Sequence, residues 1–350
     1  MLVRTDASVA IGLGHAMRCL ALVLALRDEG GEATFLMAGV PPAFAVRAAA
    51  EGVAVEALTA EPGSTADATE TADRARGLDV RWVVVDGYHF GGDYQRALVD
   101  AGLQVLALDD HGHAEHYWAQ LVLNQNLGAS ADTYEGREPY TRLLLGVRHV
   151  LLRREFRVHD AAPRLVPARA RTVLMTLGGS DPENTSTRLL TSLAGVSGPL
   201  EIRVLIGGAN PHRAALEQAA AASPHVVALV VDAHDMSDRM AWADLALAAA
   251  GGTAWELARV GTPQVSVAIA DNQRPAAAAL AEQGVAVGLG WHADLTEATV
   301  AAAVTRLVDD AAARAALADR GRALVDGRGA QRVLEAMRLS SSRVSAGSVA

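Results

Sequence analysis

Thr172-Val173-Leu174-Met175-Thr176-Leu177-Gly178-Gly179-Ser180-Asp181-Pro182 reads as a strand, a glycine turn and the start of a helix. A short apolar run that breaks at glycine and resumes at helical period marks a β-loop-α unit. The same pattern opens the chain, where Leu2-Val3-Arg4 leads through Gly12-Leu13-Gly14-His15 into a helix over about 15–29. Between the two, strands are expected over 33–37, 53–58, 82–86, 105–109 and 121–124, with helical segments in most of the gaps. A polar stretch rich in Arg and Pro, about 154–171, reads as a linker. After it come strands over 172–176, 201–206, 226–231, 245–248, 264–267 and 285–289, then helices over about 297–339. Alternating β and α elements predict parallel sheets covered on both faces. The expectation is an α/β chain of two domains facing a cleft, 1–155 and 170–339, with a flexible tail over 340–350.

Composition narrows the function. The 350 residues are 51% hydrophobic but only 4% aromatic, and the net charge is −9. A nucleic-acid binder normally carries a basic stripe, so no nucleic-acid partner is expected. All 31 basic residues are arginine. That excludes a P-loop lysine and a Schiff-base lysine, and with them pyridoxal phosphate chemistry. No apolar run of 18 residues lacks a charge, and no signal peptide is read at the N-terminus, so neither membrane insertion nor export is expected. The single cysteine, Cys19, fits a reducing compartment and is expected to be buried. A cytoplasmic protein is the expectation. Oligomeric state stays open.

Ligands of parallel α/β sheets bind outside the carboxyl ends of the strands, so chemistry is expected in the loops there. In the first, Gly14 lets backbone approach a ligand, and His15 lies in the first helical turn. The positive helix end there disfavours an imidazolium and favours a neutral base. Position alone divides His15 evenly between a general base and a packed turn residue. NAD is not expected: Met17 stands where the third glycine of a dinucleotide fingerprint belongs, and the second strand ends without an acidic residue. Asp86-Gly87-Tyr88 and Asp109-Asp110-His111 follow two further strands. Such carboxylates orient a histidine, bind sugar hydroxyls or simply cap loops. His111, His113 and His116 invite a metal reading, but exposed loop histidines are commoner, and no metal is assigned.

The second half offers three such loops. Gly178-Gly179-Ser180-Asp181 presents backbone N–H groups suited to phosphate; the plain alternative is a tight turn with Ser180 or Asp181 as N-cap, and the two are compatible. Gly251-Gly252-Thr253 precedes a helix carrying Trp255 and Glu256, and Asp271-Asn272-Gln273 follows the next strand. Three polar loops after strands of one domain are more specific than any one alone.

These residues resemble the family of UDP-2,4-diacetamido-2,4,6-trideoxy-β-L-altropyranose hydrolases of pseudaminic acid biosynthesis, and spore-coat polysaccharide biosynthesis proteins of the same type. The likeness runs through Arg4-Thr5-Asp6, Gly12-Leu13-Gly14-His15, Arg18, Asp86-Gly87-Tyr88, Asp109-Asp110, Leu123-Asn124 and Tyr134-Glu135-Gly136. It continues through the segment ending Leu151-Leu152-Arg153-Arg154-Glu155-Phe156 and through Gly178 to Asp181, over about 1–330. The resemblance implies two Rossmann-like domains of the GT-B glycosyltransferase type and a nucleotide-sugar substrate, with no cofactor. It implies that His15 activates water, with Gly14, Arg18 and Tyr88 beside the substrate. Gly178, Gly179, Ser180, Asp181 and Gly252 would lie near the phosphates or sugar, Glu256 on the ribose, and Asn272 and Gln273 near sugar hydroxyls. One position departs: Trp255 stands where those hydrolases carry Asn. The leading expectation is a hydrolase of a nucleotide-activated deoxyamino sugar. The alternatives are an inverting glycosyltransferase using the same histidine on an acceptor hydroxyl, and a non-catalytic nucleotide-sugar-binding protein.

Overall fold

The computed structural model describes residues 1–8, 12–157, 165–178, 181–208 and 210–347, with side chains to Ser341. The chain divides into two compact units, Met1–Arg157 with Gly327–Ala350, and Val158–Asp326.

In the first unit, strands β1 (Leu2–Thr5), β2 (Thr34–Met37), β3 (Ala54–Ala57), β4 (Trp82–Asp86), β5 (Gln104–Leu108), β6 (Leu121–Asn124) and β7 (Arg142–Leu145) form one sheet. Its order is β3-β2-β1-β4-β5-β6-β7, all parallel. Helices α1 (Gly14–Asp28), α2 (Pro42–Ala50), α3 (Thr65–Gly77), α4 (Gly92–Asp100) and α5 (Arg154–Arg157) connect or follow the strands. The central strands are buried on both faces, hence their unbroken Val and Leu runs. Helix α1 buries every residue from Cys19 to Ala25, as a helix covered on more than one side must.

The second unit holds β8 (Thr172–Thr176), β9 (Glu201–Ile206), β10 (Val226–Val231), β11 (Leu245–Ala249), β12 (Gln264–Ala268) and β13 (Val287–Trp291) in the parallel order β10-β9-β8-β11-β12-β13. Its helices are α6 (Thr185–Ser192), α7 (Arg213–Ala222), α8 (Met236–Trp242), α9 (Gly252–Val260), α10 (Arg274–Glu282), α11 (Glu297–Asp309) and α12 (Ala311–Leu324). The buried Arg314 guanidinium donates to the carbonyls of Val308 and Pro167, tying the entry segment to the end of α11.

Two expected boundaries move. The linker does not begin at Arg154: α5 belongs to the first unit, where Arg154 pairs with Asp28 and Glu51, and Arg157 with Asp28. Nor does the second domain run to 339. Helix α13 (Gly329–Gly347) returns to the first unit, and Ala330, Val333, Leu334 and Met337 enter its core. Those four lie at helical spacing and make one apolar stripe. Gly329 has no room for a side chain, since a Cβ there would collide with the backbone of Val150. Farther along, Trp82 Nε1 donates to Ser341 Oγ at 2.9 Å, and Ser341 Oγ lies 2.8 Å from Gln104 Oε1. The backbone of the tail expected over 340–350 is helical through 347.

Candidate functional site

In each sheet the chain reverses direction of build at one place, between β1 and β4 in the first unit and between β8 and β11 in the second. Loops leaving two neighbouring strands toward opposite sides open a crevice at the carboxyl edge, which is where such folds bind ligands.

In the first unit the loop after β1 ends at Gly12, whose φ of +80° is the left-handed conformation that glycine adopts without strain. Helix α1 starts at Gly14 with no side-chain cap, and His15 follows in its first turn. His15 Nδ1 lies 2.6 Å from Oδ1 of Asp86, the last residue of β4. Arg18, one helical turn on and so on the same face, donates from Nε and Nη2 to both Asp86 oxygens at 2.7 Å. Its Nη1 reaches Asp110 at 2.8 and 3.0 Å. Arg18, expected at the substrate, has all three nitrogens on carboxylates and therefore fixes the ends of β4 and β5 relative to α1.

Burial pushes the Asp86 carboxyl up, but the guanidinium of Arg18 and the His15 ring outweigh it and hold it well below the usual range. Asp110 is likewise driven up by burial and brought below its ordinary value by Arg18. Burial opposes the charge of Arg18, yet its two carboxylates raise it further. An ionised carboxylate only accepts hydrogen bonds, so Nδ1 of His15 carries the shared proton. Nε2 is then the ring nitrogen that Asp86 does not engage. Tyr88, 39% exposed, packs edge-on to His15 with centroids 5.3 Å apart and donates to Asp110 at 2.9 Å. Gly14 is exposed, with nothing within 4 Å of the position a Cβ would take. Cys19 is buried as expected, with Sγ 3.4 Å from Asp86 and its thiol pushed up by burial and by that carboxylate.

The histidine-rich loop is held piecemeal. His113 pairs with Asp109 at 3.3 Å, His116 with Glu138 at 3.1 Å, and His111 packs on Tyr88. Among the described residues no cluster of three or more His, Cys, Asp or Glu side chains is arranged to hold a metal ion. Sequence reasoning assigned no chemistry to His89, whose Nε2 lies 3.0 Å from Asp6 just past β1. It also missed Asn126, which donates to Asp110 at 2.9 Å. The only available signal was an Asp at a strand end, and its partners come from distant loops.

In the second unit Gly178 has φ +89° and Asp181 +40°, so the turn after β8 is left-handed at both. The Asp181 carboxylate accepts from the N–H groups of Thr185 and Ser186 at 3.0 and 2.8 Å. It therefore caps the start of α6, an arrangement compatible with an anion at the same turn. Gly179 and Ser180, expected beside it, lie outside the described residues. Helix α9, in contrast, begins at Gly251-Gly252 without a side-chain cap, and Gly252 is exposed with nothing within 4 Å of the position a Cβ would take. Gln273 reaches this point: its Nε2 would lie 3.4 Å from a Cβ on Gly251, while its Oε1 accepts from Ile269 N. Glu256 lies one turn into α9, 8% exposed, and Asn272 is exposed in the neighbouring loop. Gly252 and Gln273 thus converge on the β11–β12 side of the switch point, with Glu256 close along the helix. Trp255 is buried at 2% exposure and is part of the helix packing.

Comparisons with known proteins agree with this architecture. Residues 173–332 match the glycosyltransferase family 28 C-terminal domain. The chain is 29% identical over 165 residues to the spore coat polysaccharide biosynthesis protein SpsG of Bacillus subtilis, covering 47% of this chain and 48% of that protein. A protein of Methanocaldococcus jannaschii, MJ1062, is 21% identical over 207 residues, 58% of this chain and 41% of its own. The chain spans about half the length of the curated relatives it matches. Among solved structures, Acinetobacter baumannii MurG aligns over 95% of this chain and 98% of its own, with a TM-score of 0.66 and 20% identity. Anabaena Alr3699/HepE in complex with UDP-glucose aligns over 99% of both, with a TM-score of 0.64 and 16% identity. The fold is that of the GT-B glycosyltransferases. No helix among the described residues is long and apolar enough to cross a membrane.

Proposed function

We propose that the protein hydrolyses a nucleotide-activated deoxyamino sugar, with His15 as general base. The observation that carries this reading is the His15–Asp86 pair at the switch point of the first sheet. Asp86 fixes the tautomer and ring orientation, so that Nε2 can take a proton from water. The water oxygen bonds to the anomeric carbon as the bond from that carbon to the diphosphate oxygen breaks. The nucleoside diphosphate leaves with the electron pair, and the protonated His15 is balanced by Asp86. The second unit holds the leaving group. The uncapped start of α9 offers N–H groups and a positive dipole end to the diphosphate, and Glu256 takes the ribose hydroxyls. Asp181 caps α6, and Gly252 and Gln273 are the groups this reading sets beside the diphosphate.

The fold shared with glycosyltransferases over nearly the whole chain favours a second reading, in which His15 deprotonates an acceptor hydroxyl. A panel of nucleotide-sugars assayed for diphosphate release separates the two. Free sugar formed without acceptor supports hydrolysis; strict acceptor dependence supports transfer. Turnover by His15→Ala at the wild-type rate would overturn both.

A further inference from the structure

The carboxyl edge of the first sheet holds a second histidine–carboxylate pair, built as the counterpart of the first. Asp86 ends β4 and takes its histidine from the helix after β1. Asp6 lies just past β1 and takes its histidine, His89, from the loop after β4, at 3.0 Å. The two pairs therefore cross at the switch point, where Thr5 and Asp86 are neighbours in register.

Asp6 is held as firmly as Asp86. Its Oδ1 accepts from Arg4 Nη1 at 2.7 Å and from Ala38 N at 2.8 Å. Arg4 is fully buried and clamped by Asp67 at 2.9–3.2 Å. Burial raises the Asp6 carboxyl, but His89 and Arg4 outweigh it and bring it well below the usual range. As an acceptor only, Asp6 fixes the proton on Nε2 of His89 and leaves Nδ1 as the ring's other polar atom. The ring is also held in place: a Cβ on Gly87 would lie 2.8 Å from its Cε1 and 3.3 Å from its Nδ1, which only a glycine there leaves uncovered, one on Gly63 would lie 3.3 Å from its Cδ2, and Phe90 lies 4.0 Å away by centroids. Yet the side chain stays 30% exposed.

We propose that His89 is a substrate-binding residue that contacts the transferred sugar through Nδ1, from the flank of the switch point opposite Tyr88 and Asp110. The sugar is thereby met on the first unit by two oriented imidazoles, one that takes a proton and one that grips a polar substituent. This inference rests on the proposed nucleotide-sugar reading and deepens it.

The test is calorimetric binding of a nucleotide-sugar and of its nucleoside diphosphate to the full chain, for wild type, His89→Gln and His89→Asn. Glutamine can place its amide nitrogen on Asp6 as Nε2 does, but lacks Nδ1; asparagine retains a polar atom near Nδ1 and lacks the Asp6 contact. The expected result is a loss of about 5–30-fold in nucleotide-sugar affinity for His89→Gln. Affinity for the nucleoside diphosphate and the melting temperature should stay at wild-type values, with His89→Asn recovering part of the loss. Unchanged nucleotide-sugar affinity in His89→Gln, or an equal loss for both ligands, overturns the proposal. Binding requires no turnover, so the two readings fail separately. A chain that turns over no nucleotide-sugar but shows the selective loss keeps His89 as a sugar contact and sinks the hydrolase. A wild type that gains no affinity from the sugar sinks the contact alone.

Discussion

Asp86 Oδ1 stands 2.6 Å from His15 Nδ1 across 71 residues of sequence, at the meeting of a strand end and a helix start. The carboxylate does not need to move a proton to matter; it holds the ring and balances the imidazolium. Asp86→Asn should therefore lower kcat by about 10²–10⁴ while leaving KM nearly unchanged. The double variant with His15→Ala should be no slower than His15→Ala alone, since the two act as a unit. Steady-state kinetics on the best nucleotide-sugar checks both.

Arg18 neutralises two carboxylates that are themselves buried or nearly so. Removing one partner of such a network strands the other charges and costs about 3–5 kcal/mol. Arg18→Met should thus lower the melting transition of the first unit by roughly 6–20 °C. Adding Asp110→Asn should recover part of the loss by removing one stranded charge. Calorimetric scans of the three proteins decide this.

Stability should depend on pH with opposite signs on the two sides of neutrality. His113 is lowered by burial but raised overall by Asp109. Its contribution is complete below about pH 6.5 and is lost as pH rises from there through the raised value. Asp86, Asp109 and Asp110 are brought below the ordinary range, so their contribution is present above about pH 3.9 and disappears as pH falls through their lowered values. In urea titrations, the difference between wild type and His113→Ala should be largest below pH 6.5 and shrink above it.

The start of α9 can be blocked without disturbing the fold. A Cβ at Gly252 meets nothing within 4 Å. Gly252→Val should leave the melting temperature almost unchanged but weaken nucleoside diphosphate binding, because the side chain occupies the approach to the helix end. Glu256→Ala should weaken the same ligand about 10–100-fold if it accepts ribose hydroxyl protons. Equilibrium binding by calorimetry reads both.

Leu334 belongs to the core of the first unit although it follows the second in sequence. Leu334→Ala should cost about 2–5 kcal/mol. Only the transition assigned to the first unit should move.

Much of this organisation is legible in the sequence, and what is not has a physical cause. Apolar runs bounded by glycine locate most strands, and the helix start at Gly14-His15 is visible directly. Strand β7, Arg-Leu-Leu-Leu, is not among the expected strands, although it is as long as the strand read at 121–124. Strand β13 begins two residues later than expected, because Val285 and Ala286 still bond back to Leu280 at the end of α10. The role of His15 was legible as an even choice; its partner was not, since no local pattern says which distant carboxylate will face it. The sequence likewise places the helix over 329–339 in the second domain, because chain order alone does not say that its apolar stripe returns to the first.

That return of α13 has a consequence for how the protein is made. The first unit begins to emerge from the ribosome before the second, yet it lacks part of its core until Met337 has been translated. At about 5–20 residues per second, roughly 10–35 s separate Arg157 from Met337. During that interval the nascent first sheet carries the uncovered surface of α1, while the uninterrupted second unit is completed. The unit encoded first is the one that closes last.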